Sequence, residues 1–456
     1  MISGFDYGTS NCAIGVMNTA SSNAQLLPLE GDNAFLPSSL YALGRELICE
    51  SVAKGVECSQ VQEEYKLSRA LNLNMATRFR AQESIASAEQ TLFYGREAFS
   101  QYFSLPGEGY FVKSVKSFLG TSGLRPAFID FFEDIVTAMM MEIKQRAERQ
   151  CNALLTHTVI GKPVNFQGSD ADQSNGQALA ILETSAKRAG FKSVEFLYEP
   201  IAAGIDFEKS LNQNKRVLVV DIGGGTTDCA MVCMGPGHIN KTDRRADFLA
   251  HVGERIGGND FDIQLAANTL LPLFGMKSVL KNGLPMPTQA YWDCVSTNDV
   301  GAQQSFNKLE TSLTLERLLL ETTEPDLLTR FIKMRTNHQN QQLVRCAEQA
   351  KIALSEQACT QVALDFVENS LSCSVQLEQM QHAVRRPLKG MIRLMNEAIL
   401  QASVSPDLIY ITGGSAKSPV IRQAIEKSIG NVPVIDGDHF GSVANGLTVW
   451  ADKIFR

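Results

Sequence analysis

The sequence predicts an α/β fold on three observations. Strand-like and helix-like segments alternate along the chain. Two of the strands run into glycine-rich turns and return at once as a second strand. The chain has 456 residues, 44% hydrophobic and 20% charged, enough to bury two packed lobes without help from disulfides or metals.

The first element, Ile2 to Val16, reads as a strand, a tight turn of Gly8, Thr9, Ser10 and Asn11, and a second strand. This is a hairpin and not a strand-to-helix phosphate loop. Pro126 to Gln150 places apolar residues three and four apart behind an early proline, the pattern of a long amphipathic helix. His157 to Pro163 then reads as a strand, Gln173 to Ala189 as a helix stopped by Gly190, and Val194 to Leu197 as another strand. VLVVDIGGGTTDCAMVCM, Val217 to Met234, repeats the opening plan, with Asp221 at the end of its first strand. FDYGTSNCAIGV and VDIGGGTTDCAMV form an internal repeat, so two related lobes are expected, each presenting one hairpin turn to a shared cleft. Farther on, Leu343 to Ser355 and Met391 to Ala402 read as helices and Leu408 to Thr412 as a strand, after which Gly413-Gly414-Ser415 opens a helix through Ile429. Two stretches break the alternation, Cys49 to Thr91 and Leu271 to Arg335, and both read as excursions outside the sheets.

A net charge of -7 provides no basic face for a nucleic-acid backbone, so no nucleic acid is expected as a partner. The start of the chain lacks the basic-then-apolar pattern of a secretory signal, and no run approaches the roughly 20 apolar residues of a membrane span. A soluble, cytoplasmic chain with no membrane partner is the expectation. The ten cysteines stand singly; the nearest two, Cys229 and Cys233, share one face of a strand and read as reduced thiols. Six scattered histidines give a zinc cluster nothing to stand on.

The chemistry begins at DIGGGTTD, Asp221 to Asp228. Glycines let backbone N–H groups converge on an anion, and Gly223, Gly224 and Gly225 with Thr226 and Thr227 have the shape of a phosphate cradle. By themselves the glycines fit a plain tight turn equally well; the flanking aspartates tip the reading. Two like charges 4 Å apart repel by roughly 4 kcal/mol at an effective dielectric near 20, so carboxylates beside a polyphosphate require a cation between them. Mg2+ accepts carboxylates and phosphate oxygens, often through its own waters. Asp6 in the first turn and Asp221 in the second are therefore expected to share one hydrated Mg2+, and a water ordered there makes hydrolysis the natural reaction. A third glycine pair, Gly413-Gly414-Ser415 after a strand, suits close approach of a ring or ribose.

GFDYGTSN (Gly4 to Asn11), VVDIGGGTTD (Val219 to Asp228) and ITGGSAKSPVI (Ile411 to Ile421) resemble, in order and spacing, the two phosphate motifs and the adenosine motif of the actin, sugar kinase and heat-shock chaperone ATPases. YEPIAAGIDF, GGNDFD, CAEQAKIALS and VKSFLG also have counterparts in the ATPase domain of DnaK-type heat-shock chaperones. The resemblance implies a two-lobed, ribonuclease H-like actin fold with a nucleotide cleft. Its lobes would be 1–204 completed by 437–456, and 205–436, with outer insertions near 49–91 and 271–335. ATP/ADP and Mg2+ are the implied cofactors, with a protein partner or co-chaperone. Lys116 matches the catalytic lysine, with Lys113 the rival if the local alignment slips; from the residues alone Lys116 would be a solvated surface side chain. Glu199, Asp221 and Asp6 match the metal site, Thr226 the hydroxyl at the γ-phosphate and Asp228 the second carboxylate of that turn. Gly8, Thr9, Ser10, Asn11, Gly223, Gly224, Gly225, Thr226 and Thr227 match phosphate-binding positions. Gly257, Gly258, Glu348, Lys351, Ser355, Gly413, Gly414, Ser415 and Lys417 match the remaining ATP-binding positions; spacing alone would make Glu348, Lys351 and Ser355 an ordinary helix surface.

Ile352 and Lys417 stand where the family has arginines, which implies weaker or less selective hold on the base. Pro163 matches a proline that relays the nucleotide state, but the arginine that usually follows it is missing from NFQGSDADQSNGQA. In the full-length chaperones a peptide-binding domain follows the ATPase domain, whereas this sequence ends at Arg456; action through a separate partner is the expectation, with the two insertions as its docking places. Two alternatives stay open: a small-molecule kinase of the sugar-kinase branch and a filament-forming bacterial actin.

Overall fold

Apolar runs on either side of a glycine turn fold back as antiparallel pairs, and both expected hairpins form in the computed structural model, which describes residues 1–18, 23–105, 107–166, 171–241, 244–438 and 441–456. The chain divides into two compact units, one of 1–255, 393–416 and 429–456 and one of 256–392 and 417–428.

The first unit holds two large sheets and a small antiparallel one, in which Ser39–Ala42 pairs with both Leu92–Tyr94 and Tyr110–Lys113. Its main elements are β1 (Ile2–Tyr7), β2 (Asn11–Met17), α1 (Pro126–Cys151), β3 (His157–Lys162), β4 (Ser193–Tyr198), α2 (Glu199–Glu208), β5 (Lys215–Ile222), β6 (Thr227–Met234), β7 (Phe248–Glu254), β8 (Leu408–Thr412) and α3 (Ser442–Phe455). In one sheet β1 is antiparallel to β2 and parallel to β3, which is parallel to β4; the short strand Ala24–Leu26 extends β2. In the other β5 is antiparallel to β6 and parallel to β8, β6 is antiparallel to β7, and the short strand Val434–Asp436 lies beyond β8. Both large sheets thus have the same order, with the hairpin on one side and parallel crossover strands on the other. The sequence repeat is a repeat of topology.

Crossover strands are covered on both faces, which is why Val217 to Ile222 is an unbroken buried run. Val159 of the first sheet, Val217 and Val219 of the second, Ala202 of α2 and Leu447 of α3 belong to one buried cluster. The helices of that cluster approach at backbone distance. A Cβ on Gly446 of α3 would lie 1.7 Å from the carbonyl oxygen of Ala202 in α2, and one on Gly4 of β1 would lie 2.1 Å from the Thr448 nitrogen. Only glycine fits either place.

The stretch Cys49 to Thr91 is helical and outside the sheets, as expected, in Leu47–Gly55, Ser59–Ser68 and Ala70–Gln82. It is pinned to α1 by Arg69, which bridges Asp130 at 3.1 Å and Asp134 at 3.1 Å, and by the Tyr65 hydroxyl, which donates to Asp134 at 2.9 Å. The helix Leu47–Gly55 is less peripheral than its sequence suggests, because Leu47, Ile48, Cys49 and Val52 are buried. In the second unit Leu271 to Arg335 is also chiefly helical, in Gln289–Val295, Val300–Asn307, Leu309–Glu321 and Pro325–Thr336.

Two expectations are corrected. The helix from Met391 begins earlier, at Arg385, with Pro387 tolerated in its first turn. The helix expected from Gly413 through Ile429 is broken into a 3-10 turn, Gly414–Lys417, and a helix, Pro419–Ile429. Pro419 lacks an N–H and biases Ser418 away from helical backbone, so it can begin a helix but not continue one. Among the described residues no helix is long and apolar enough to cross a membrane.

Candidate functional site

Three turns of the first unit come together. A Cβ on Gly224 would sit 1.9 Å from the Ser10 hydroxyl, and one on Gly225 would sit 2.9 Å from both Ser117 Oγ and Thr9 Cγ2. The two hairpin turns therefore face each other at a distance that excludes side chains at 224 and 225. The third turn docks on the second. Gly413 has φ +88°, with room for no Cβ, which would lie 2.3 Å from the Ile222 carbonyl oxygen; Ser415 Oγ donates to the Gly223 carbonyl at 3.2 Å. Gly8 and Asn11 close the first turn, where Asn11 begins β2, and Thr227 is buried at the start of β6.

Strand ends deliver the carboxylates. Asp221 near the end of β5 lies directly across the ladder from Asp228 of β6, and Asp6 lies near the end of β1. Glu199 is the first residue of α2, a helix with proline in its first turn. Lys116 rides on the short 3-10 turn Val115–Phe118, entered through Ser114 in the left-handed region at φ 58°. Its ammonium donates to Gly161 O at 3.1 Å and pairs with Glu199 Oε1. Only 5% of Lys116 is exposed, so it is no surface lysine. Asp228 accepts a 2.7 Å hydrogen bond from the Val164 N–H, which fixes the backbone just after Pro163.

One lysine among four acids sets the electrostatics. Burial, then the Glu199 carboxylate, push Asp6 up to about 7 against the pull of Lys116. Burial and Glu199 push Asp228 to about 7 as well, and burial with Glu199, Asp228 and Asp6 raises Asp221 well above the carboxylate range. Burial opposes the Lys116 charge, but Glu199 and Asp6 outweigh it and hold that pKa above the ordinary value. An all-oxygen set that cannot ionise fully without more positive charge suits a hard cation. Among the described residues no three acidic, thiol or imidazole groups are placed to hold a metal ion directly.

The site opens into a small pocket lined by Thr9, Lys116, Ser117, Pro163, Phe166, Glu199, Gly225, Thr226 and Arg255. Lys116, not its rival Lys113, lines it; Lys113 is in the strand Tyr110–Lys113, opposite Ser39. Ser117, Phe166 and Arg255 are not legible as site residues in the sequence. For Arg255 the available signal is register: Glu254 pairs with Thr227, which sets the next residue beside Thr226.

A stability consequence follows from the crowding of carboxylates. Because their folded-state pKa values lie above the unfolded ones, these groups favour the folded state at low pH, and that contribution is lost as pH rises through about 7. Without nucleotide or metal, the wild-type melting temperature is expected to rise as pH falls from 8 to 6. Asp221→Asn removes the carboxyl group whose ionisation burial and its acidic neighbours oppose, and should stabilise the ligand-free protein by about 1 kcal/mol at pH 8, where the pressure to ionise is greatest. Thermal unfolding in EDTA at both pH values checks this; a destabilised Asp221→Asn together with a flat wild-type profile contradicts it.

The second unit carries the other family-matched positions. The helix Asn340–Ala353 presents Glu348 and Lys351, and Ser355 lies just beyond it, its hydroxyl donating to Lys351 O at 3.3 Å. Lys351 pairs with Asp262 at 2.8 Å and donates to Gly258 O at 3.1 Å, so this trio and the helix Gly258–Leu265 are joined through one ammonium. Gly257 caps that helix, its N–H bonded to Asp260 at 2.8 Å. Glu348 pairs with Arg345 at 2.8 Å, Ile352 is 57% exposed, and Lys417 closes the 3-10 turn Gly414–Lys417.

The family model for Hsp70 proteins matches residues 130–280 and 328–453, more than half of the chain. The chain belongs to the Hsp70 family. Its α/β architecture is the actin-like ATPase fold of that family. The match takes in Glu199, Asp221, Thr226 and Asp228, whereas Asp6 and Lys116 precede it and are brought to these residues by the fold. Among curated relatives, "Chaperone protein dnaK3" of Synechococcus elongatus is 23% identical over 310 residues, covering 66% of this chain and 33% of that protein. "Chaperone protein dnaK" of Cyanophora paradoxa is 23% identical over 355 residues, 73% of this chain and 45% of that one. "Chaperone protein DnaK" of Metamycoplasma hominis is 21% identical over 337 residues, 71% and 45% respectively. The matches to this Hsp70 family member span from a third to under half the length of these relatives.

Proposed function

We propose that this Hsp70-family chain binds ATP with Mg2+ at the facing turns and hydrolyses it, acting as a chaperone-like protein through a separate protein partner in the cytoplasm. The observation that carries the reading is the buried Lys116–Glu199 pair, which lies behind a pocket lined by both hairpin turns. In this reading backbone N–H groups of Gly8 to Asn11 and Gly223 to Gly225 hold the phosphates, and the Thr226 hydroxyl meets the terminal one. Lys116 stabilises charge on the γ-phosphate and holds the attacking water, while Asp228 and Glu199 orient that water and receive its proton. Asp6, Glu199 and Asp221 would hold Mg2+ through waters. The metal would supply positive charge to the phosphate oxygens.

The adenosine roles of Gly257, Gly258, Glu348, Lys351, Ser355, Gly413, Gly414, Ser415 and Lys417 rest on the family resemblance, as does the division into lobes 1–204 with 437–456 and 205–436. The exposed Ile352 supports weak selection of the base. For the partner, the helices of 49–91 and 271–335 are the proposed docking places; the first carries Leu67 at 82% and Leu71 at 79% exposure.

Phosphate release from ATP by the purified chain, with Mg2+ and with EDTA, tests the reading. Slow release that stops in EDTA is expected. Release that begins only when a sugar or small acid is added would favour the kinase branch, and absence of ATP binding by calorimetry would sink both.

A further inference from the structure

We infer that Arg255 is a second phosphate-binding cation of the pocket and that it reads the terminal phosphate of ATP. The inference rests on the proposal that the facing turns bind the triphosphate. β7 pairs with β6 so that Glu254 lies opposite Thr227 and Gly253 opposite Asp228. Continuing that register by one residue puts Arg255 level with Thr226, at the open end of the hairpin. Arg255 lines the same pocket as Gly225, Thr226 and Lys116, and it and Lys116 are the two cations among the described lining residues.

Charge explains why the pocket needs both. The Lys116 ammonium is already held by Glu199 and by the Gly161 carbonyl, deep behind the turns. Asp6, Asp221 and Asp228 are also buried within its field. A phosphate arriving beside even one ionised carboxylate is repelled by it. Mg2+ held through waters by Asp6, Glu199 and Asp221 would answer this on the carboxylate side. On the Thr226 side a cation must come from the protein, and a guanidinium suits that position, because its planar fork matches two phosphate oxygens and it cannot lose its charge. ADP ends one phosphate short of Thr226, so the contribution of Arg255 falls on ATP.

The test is a competition titration of the full chain in Mg2+, with ATP and ADP displacing a fluorescent ADP, on wild type, Arg255→Gln and Arg255→Lys. Arg255→Gln keeps a polar donor but is shorter and carries no charge, and Arg255→Lys keeps the charge without the planar fork. Arg255→Gln is expected to raise the Kd for ATP about tenfold, the size of one lost charge-assisted hydrogen bond, while the Kd for ADP stays within about twofold. Arg255→Lys should restore part of the ATP preference. An unchanged ratio of ATP to ADP affinity in both variants overturns the role of Arg255, as does an equal loss of both nucleotides in both variants. A wild-type chain that binds neither nucleotide overturns the phosphate-site proposal and the inference with it.

Discussion

Lys116→Ala is expected to lower single-turnover phosphate release from ATP by at least about 100-fold, the usual scale for removing a charge aimed at developing anionic oxygens. The same change leaves Glu199 buried without its cation, beside Asp6, Asp221 and Asp228. Breaking a buried pair by deleting one partner costs on the order of 3 kcal/mol before the carboxyl group relieves it by taking up a proton. Lys116→Ala should therefore melt earlier than wild type, whereas Asp221→Asn should melt later, although both lose activity. Opposite shifts in stability with the same loss of turnover are the signature of a site held together against its own charge. Retention of most of the wild-type rate in Lys116→Ala would remove the lysine from the chemistry.

Gly446→Ala is expected to be the most damaging single methyl group in the first unit. The new Cβ would sit 1.7 Å from Ala202 O and 2.4 Å from Ala202 C, both main-chain atoms that cannot swing aside. α2 and α3 must separate, and overpacking of this kind costs about 3 kcal/mol or more. For a unit of this size that lowers the melting temperature by roughly 5 °C. Glu199 begins α2, only three residues before Ala202, so hydrolysis should fall even at temperatures where the variant is folded. A Gly446→Ala protein that melts with the wild type and keeps its activity contradicts the close helix crossing.

What the sequence makes legible is what local pattern encodes. Strand, glycine turn and strand appear as letters in order, so both hairpins, and with them Asp6, Asp221 and Asp228, can be placed before any coordinates. Lys116 cannot be placed by its own neighbourhood. VKSFLG has no period that says its lysine is buried; Glu199, 83 residues later, provides the partner. Arg255 leaves no trace at all, because its position follows from the pairing of β7 with β6 and not from the residues flanking it. The break at Ser418-Pro419 is written in the letters, since proline restricts the residue before it as well as itself, yet the glycine turn ahead of it draws the reading into one helix. Glu348 and Lys351 share a helix as their spacing requires, but that Lys351 spends its charge on Asp262 and Gly258 O is tertiary information.

The shared core of the two sheets also has a consequence in time. β1 is packed by α3 through Gly4 and Thr448, and β5 finds its parallel neighbour β8 about as late, with Val217 opposite Leu408. Contacts so far apart in sequence form slowly. On a ribosome adding about 5 to 20 residues per second, roughly tens of seconds separate the appearance of β1 from that of α3. Throughout that interval β1 lacks the cover of α3. A newborn copy is thus exposed to aggregation for longer than its finished fold would suggest, and its yield in a cell should depend on what shields the growing chain.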